Sequence, residues 1–194
     1  MLPRGILREP IDNLVRASMI VITKADSASP QGLENLKSRI KSINPGALIV
    51  TAAHKPVKIF EFASFKELQT ATSQNTELPL ESIKGKDIVV ACGIGNPDYF
   101  IKTLENLGAI VKTSVIFQDH HPYSFTDLEY IAKKCREAAT KMVVTTEKDA
   151  IKLKPLIQRH ALAFESLQMQ FLDLQIKLQI LQDEDKFTEL LLSK

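Results

Sequence analysis

Apolar positions along the chain follow two periods. Short β-branched runs read as buried strands, and longer stretches with apolar residues three or four apart read as helices. Pro10 opens an amphipathic segment, PIDNLVRA, and SMIVIT at 18–23 predicts the strand after it. Ser29 followed by Pro30 has the form of an N-cap with proline at the first helical position, and Leu33, Leu36 and Ile40 carry that helix to a stop at Asn44-Pro45-Gly46. ALIVTAA at 47–53 predicts the next strand.

From residue 64 to 82 the periodicity is lost, in a polar stretch that contains Pro79. A second series follows: strand DIVVAC (87–92), a helix from Pro97 to about Leu107, strand AIVKTSVIF (109–117), a helix from about Thr126 to Ala139, and strand KMVVTT (141–146). LDLQIKLQIL (172–181) alternates like a half-buried strand, and EDKFTELLLS reads as a closing helix. This alternation predicts an α/β protein of βαβ units on a largely parallel sheet. The break predicts two parts, residues 1–63 and an α/β domain at 83–194, joined by a linker or long loop at 64–82.

Composition narrows the class. Of 194 residues 44% are apolar, and 25 Lys and Arg face 23 Asp and Glu, with no basic block dense enough for a nucleic-acid partner. Cys92 and Cys135 form no C-x-x-C pair, which points to a reducing, cytoplasmic compartment. No apolar run approaches the roughly 20 residues that span a bilayer, and MLPRGILREP has no apolar signal core, so any membrane contact is expected to be peripheral.

Four segments carry candidate chemistry. In ACGIGNPDYF a strand passes through Gly93, Gly95, Asn96 and Pro97 into a helix, and backbone N–H groups at a positive helix end suit an anion. Asp98 stands where a dinucleotide fingerprint has its third glycine, and a tight turn capped by Asn96 explains the same residues. In FQDHHPYSF, Asp119, His120 and His121 are consecutive after a buried strand. Neighbouring side chains of an extended segment diverge, so the triplet alone is a poor one-ion site. A carboxylate beside an imidazole at a strand's carboxyl end can instead orient a proton acceptor or a phosphate; a polar loop capped by Asp119 is the other reading.

In VVTTEKDAIKL, Thr146 and Asp149 resemble a capping box with a short acid, and Lys148 is a candidate phosphate or substrate contact. In LPRGILREP, Arg8 can hold an anion bidentately, and Glu9 can pair with it or face a cation; a surface ion pair accounts for both equally. No P-loop is present: Gly85-Lys86 is followed by Asp87 and preceded at the required spacing by Leu80.

Taken in order, these segments resemble the carboxyl-terminal part of the tetraacyldisaccharide 4'-kinase family, the lipid A 4'-kinases of Gram-negative bacteria. LPRGILREPIDNLVRASMIVITK resembles the family's Leu-Arg-Glu-Pro segment and following strand, GIGNPDYF its glycine-Asn-Pro turn, FQDHHPYSFTDL its Phe-x-Asp-His loop, and VVTTEKDAIKL its Thr-Glu-Lys-Asp segment. LQIKLQILQDEDKFTELL is similar to its last strand and helix.

The resemblance implies the C-terminal part of a P-loop-type kinase fold. It implies transfer of the ATP γ-phosphoryl to the 4'-hydroxyl of the lipid A disaccharide precursor, with Mg²⁺, at the cytoplasmic face of the inner membrane. His120, oriented by Asp119, would sit beside the nucleotide and the transferred group, with His121 turned away. Arg8 and Glu9 would lie at the edge of the same cleft, and Gly93, Gly95, Asn96 and Lys148 complete the candidate substrate- or nucleotide-binding set. By this resemblance the family's P-loop, Mg²⁺-binding acids, catalytic base and membrane-facing helix belong to an amino-terminal half absent from these residues, so ATP and Mg²⁺ are expected mainly there. The chain alone is then expected to be inactive: a truncated product, a gene-model fragment, or half of a split enzyme with a separate P-loop partner. Two alternatives stand beside this reading. One is a non-catalytic α/β binding remnant. The other is an Asp-His-His metal phosphoesterase, which lacks upstream acids: Asp87 begins a strand, Asp26 lies in a Ser-rich loop, and Asp183-Glu184-Asp185 comes late.

Overall fold

The computed structural model describes residues 9–63, 75–161 and 169–192. Two compact units divide the chain, Met1–Lys55 with Lys177–Lys194, and Pro56–Ile176. Two long strands, β2 (Leu48–Ala63) and β7 (Gln170–Gln182), contribute residues to both.

In the first unit a 3-10 turn, Ile11–Arg16, precedes β1 (Met19–Ile22), and α1 (Pro30–Ile43) leads into β2. β1 pairs parallel with β2 from Met19↔Leu48 to Ile22↔Thr51. The start of α1 is local chemistry: Ser29 Oγ accepts the Gly32 N–H at 3.1 Å, with Pro30 in the first turn. Its end is held from a distance. Asn44 Nδ2 donates to Leu14 O at 2.9 Å and Ala17 O at 2.8 Å, while its Oδ1 accepts from Ala47 N at 3.1 Å. The closing helix α5 (Glu184–Leu192) belongs to this unit, where Lys37 Nζ also reaches Gln182 Oε1 at 3.3 Å.

The second unit is the βαβ series: β4 (Asp87–Cys92), α2 (Pro97–Asn106), β5 (Ile110–Ile116), α3 (Phe125–Glu137), β6 (Met142–Thr146), α4 (Glu147–Arg159) and the first part of β7. These strands are parallel in the order β7-β6-β4-β5, and the end of β2 follows beyond β7. β4 reads as an unbroken apolar run because both of its faces are covered, and Ile88 to Cys92 are all at 0% exposure. Its alternate side chains serve two cores. Val89 and Ala91 join Val143 and Phe171 beneath Leu128, Ile131, Leu153 and Ile157. Ile88, Val90 and Cys92 join Val144 and Leu172 against Phe100 and Leu104 of α2. Each buried Val, Leu, Ile or Phe among them contributes about 1.5–3 kcal/mol by leaving water.

Two features differ from the periodicity-based expectation. The strand expected at 47–53 runs on to Ala63, because Ile59 and Phe62 are buried and a short strand, β3 (Thr76–Leu78), pairs antiparallel with Ile59, Phe60 and Glu61. The boundary expected at 64–82 also does not coincide with the compact units, which divide at 55/56 and 176/177. Residues 64–74 of that stretch lie outside the described residues, while 75–82 include β3 and enter a 3-10 turn ending at the fully buried Ile83. Among the described residues no helix is long and apolar enough to cross a membrane.

Candidate functional site

Because β4, β5 and β6 are parallel, the segments after them emerge at one edge of the sheet, where open α/β sheets bind ligands. Three of the four sequence segments meet there. Phe117 N donates to Cys92 O at 2.9 Å, and His120 N to Gly93 O at 3.3 Å. Gly93 N in turn donates to Asp149 Oδ2 at 3.1 Å. The same carboxylate oxygen accepts the Thr146 hydroxyl at 2.7 Å, and Thr146 Oγ1 accepts the Asp149 N–H at 3.3 Å. From the next turn of α4, Lys152 Nζ donates to His121 O at 3.1 Å.

Gly93 is glycine for lack of room. A Cβ there would lie 2.9 Å from Gln118 O and 3.3 Å from both His121 Cβ and the Tyr123 hydroxyl. Its N–H is turned inward to Asp149, and Asn96 Oδ1 accepts the Tyr99 N–H at 3.1 Å as the cap of α2. A Cβ on Gly95 would lie 3.6 Å from Asp119 Oδ2, and Asp98 stands in the first turn of α2. The anion reading of this turn therefore loses the Gly93 donor to the interior and faces two carboxylates. The tight capped turn is what these residues build.

The triplet is a turn instead of an extended segment. His121 N donates to Gln118 O at 3.1 Å, and His120 takes the left-handed conformation at φ 62°. Its side chain is 81% exposed, with Nε2 3.9 Å from Asp119 Oδ1, an ion-pair distance longer than a hydrogen bond. His121 turns into the protein. Its Nε2 lies 3.1 Å from Asp127 Oδ2, its ring stacks on Phe117 at 4.6 Å, and it makes a T-shaped contact with Tyr123 at 5.1 Å.

Electrostatics separates the groups further. Burial opposes ionisation of Asp127, but the Ser124 N–H at 2.8 Å, the Ser124 hydroxyl at 2.7 Å and His121 hold its carboxyl below the usual carboxylate range. Burial, then the Asp149 charge, pushes the Cys92 thiol up to about 12, so it is a core thiol and no nucleophile. The same two causes keep the Tyr123 hydroxyl protonated. That hydroxyl and Asp149 Oδ1 are both buried without a geometrically complete hydrogen bond.

The remaining sequence candidates are placed as follows. Lys148 is exposed in the first turn of α4. Glu9 belongs to the first unit, where it accepts from Arg16 Nη2 at 2.8 Å and Asn13 Nδ2 at 3.1 Å, an exposed ion pair of little energetic weight. Arg8 lies outside the described residues. Sequence reasoning passed over Asp127, Tyr123 and Lys152, and took Asp149 only as a cap. Among the described residues no group of three or more His, Cys, Asp or Glu side chains is placed to hold a metal ion.

Comparison with known proteins gives a consistent result. The family model for tetraacyldisaccharide-1-P 4'-kinase matches residues 1–194. The chain is 36% identical over 152 residues to the tetraacyldisaccharide 4'-kinase of Halothermothrix orenii, covering 78% of this chain and 39% of that protein. It is 32% identical over 162 residues to the Syntrophus aciditrophicus protein of the same name, covering 80% and 41%. The chain thus spans about two-fifths of the length of the curated relatives it matches. In fold it is similar to the crystal structure of the "apo" form of LpxK from Aquifex aeolicus in complex with ATP, with a TM-score of 0.54 at 23% identity, covering 100% of this chain and 47% of that one. The matched length, the shared fold and the ordered segments at the sheet edge lead to one assignment: the chain belongs to the tetraacyldisaccharide-1-P 4'-kinase family.

Proposed function

We propose that the chain is the carboxyl-terminal portion of a tetraacyldisaccharide 4'-kinase. In the complete enzyme its second unit brings Asp119 and His120 to the transfer of the ATP γ-phosphoryl to the 4'-hydroxyl of the lipid A disaccharide precursor. The observation that carries this reading is the exposed Asp119–His120 pair, standing on a buried scaffold at the carboxyl edge of a parallel sheet.

Phosphoryl transfer needs positioning and compensation of charge on the transferred group more than covalent chemistry. The exposed His120 ring can donate an N–H to phosphoryl oxygens or hold the nucleotide. Lys148, exposed in the first turn of α4, adds a cationic contact for a polyphosphate. These residues fit one wall of an ATP site. Mg²⁺ fits less well: Asp119 is the carboxylate beside His120, so most ligands of the ion would come from the remainder of a full-length enzyme.

The first unit is read as the remainder of the kinase core. It carries an open apolar groove of about 390 Å³ lined by Pro10, Leu14, Ile20, Leu36, Ile40 and Ile43, suited to packing against further chain. With no P-loop in the sequence, turnover requires a P-loop half, in the same chain or as a separate partner. The complete enzyme would work peripherally at the cytoplasmic face of the inner membrane, where its lipid substrate lies. The test is 4'-kinase turnover with lipid disaccharide, ATP and Mg²⁺, for the chain alone and for the chain supplied with a P-loop half from a relative. Activity only in the second case is expected. Turnover by the chain alone would overturn the division of labour, and none in either case would favour a non-catalytic remnant.

A further inference from the structure

Gly93 and His120 are linked in a way that the capping pattern at the start of α4 does not account for. Sterics require glycine at 93, since a Cβ would meet Gln118 O at 2.9 Å, and a glycine backbone is the least constrained of all. Yet its carbonyl accepts the His120 N–H at 3.3 Å, so one of the bonds that place His120 ends on this unconstrained residue. What holds Gly93 is the Asp149 carboxylate, 56 positions later and 1% exposed, at 3.1 Å from its N–H. An acid at the third position of a helix ordinarily reaches back to the backbone N–H of its own cap. Asp149 instead spends Oδ2 on Gly93 and the Thr146 hydroxyl, and its Oδ1 is buried without a complete hydrogen bond. One turn on, Lys152 Nζ holds His121 O at 3.1 Å, so the left-handed His120 is anchored to α4 on both sides.

We propose that Asp149 is a positioning residue that, through Gly93, fixes where the Asp119–His120 pair is presented, with Lys152 as the second anchor from the same helix. The proposal rests on the reading of His120 as a functional group, but its geometric part is separately testable. Two roles of Asp149 can be told apart. A plain cap acts on α4 alone, whereas a positioning group acts on Gly93 and His120, which lie far away in sequence.

The test is nuclear magnetic resonance on the ¹⁵N-labelled chain, comparing Asp149→Asn, Asp149→Ala and Thr146→Ala with the unaltered protein. Asp149→Asn keeps the shape of the side chain and an oxygen acceptor. The Gly93 amide proton is expected to move upfield, because a neutral carboxamide accepts more weakly than a carboxylate, with a smaller change at the His120 amide. In Asp149→Ala, Gly93 amide exchange is expected to quicken about ten-fold or more, whereas Thr146→Ala, which frays the first turn of α4 and removes one of the two donors on Asp149 Oδ2, quickens it clearly less. An unmoved Gly93 amide in Asp149→Asn overturns the proposal even if the alanine variant does not fold. So does a Thr146→Ala response at Gly93 equal to that of the Asp149 variants. Turnover in the enzyme supplied with a P-loop half separates the two readings. If Asp149→Ala displaces Gly93 and His120 while His120→Ala leaves turnover intact, the positioning stands and the role of His120 falls. If both are right, Asp149→Ala lowers kcat in the unaltered enzyme and adds little in the His120→Ala background.

Discussion

His121 Nε2 lies 3.1 Å from Asp127 Oδ2, while its neighbour His120 projects outward at 81% exposure with a left-handed backbone at φ 62°. Two adjacent imidazoles therefore have separable jobs. His121→Ala removes a stacked ring and a half-buried hydrogen bond and is expected to cost about 1–2 kcal/mol. His120→Ala should change stability by less than about 0.5 kcal/mol, as exposed substitutions do. In a complete enzyme the order reverses: His120→Ala is expected to lower kcat/KM by about 10²- to 10⁴-fold, with Asp119→Asn milder. Urea denaturation and kinase turnover on the same variants check both halves; a His120 variant that loses stability but keeps turnover would refute the assignment.

Gly93 and Gly95 answer differently to alanine. At 93 the added carbon meets the backbone oxygen of Gln118 at 2.9 Å, so a main-chain shift is forced and about 1–3 kcal/mol of stability is lost. At 95 its nearest neighbour is Asp119 Oδ2 at 3.6 Å, an ordinary contact, so the change stays within about 0.5 kcal/mol. Equal melting temperatures for the two variants would contradict the packing argument.

Asp173 makes stability depend on pH. It is 3% exposed and lines a cavity of about 150 Å³ with Glu147, Lys154, Asn75 and Gln175. Burial, then the Glu147 charge, pushes its carboxyl from 3.8 up to about 6, against the pull of Lys154. A folded-state value above the unfolded one favours the protonated acid, so this group's contribution to stability declines as pH rises through that interval. The loss amounts to at most about 3 kcal/mol once the group is fully ionised. Asp173→Asn, which imitates the protonated form, should match the unaltered protein near pH 4 and exceed it at pH 7. A difference that is the same at both ends would show that Asp173 does not titrate in this range.

Asp127 has the opposite sign. Its carboxyl is held below the ordinary range, so the stability it contributes is complete at neutral pH and is lost as pH falls through its folded-state value. Asp127→Asn should be destabilised at neutral pH, the gap closing in acid. Ser124→Ala removes the cap that faces it and should cost about 1 kcal/mol at neutral pH. Denaturation midpoints across a pH series check both; a gap that widened in acid would be the wrong sign.

Most of the elements were legible because their signals are local. Ser29-Pro30, Asn96-Pro97 and Thr146 start helices with chemistry contained within four residues, and the apolar runs of β4 and β6 announce strands covered on both faces. The ordered motifs likewise sufficed for the family, since four short segments in register carry that information without coordinates. What stayed illegible depends on residues far apart in sequence. Nothing around Asp149 marks Gly93 as its partner, because that bond exists only once parallel pairing brings the ends of β4 and β6 to the same edge. The extension of β2 depends on β3, and the turning of the two histidines to different sides depends on room beside Phe117 and a carboxylate at Asp127, six residues on. By itself the sequence determined where helices and strands begin, which side chains are apolar, and the family. The tertiary structure alone decided which polar groups are consumed inside the scaffold and which, like His120, are left facing outward, because long-range hydrogen bonds and packing, with no periodic signature, make that choice.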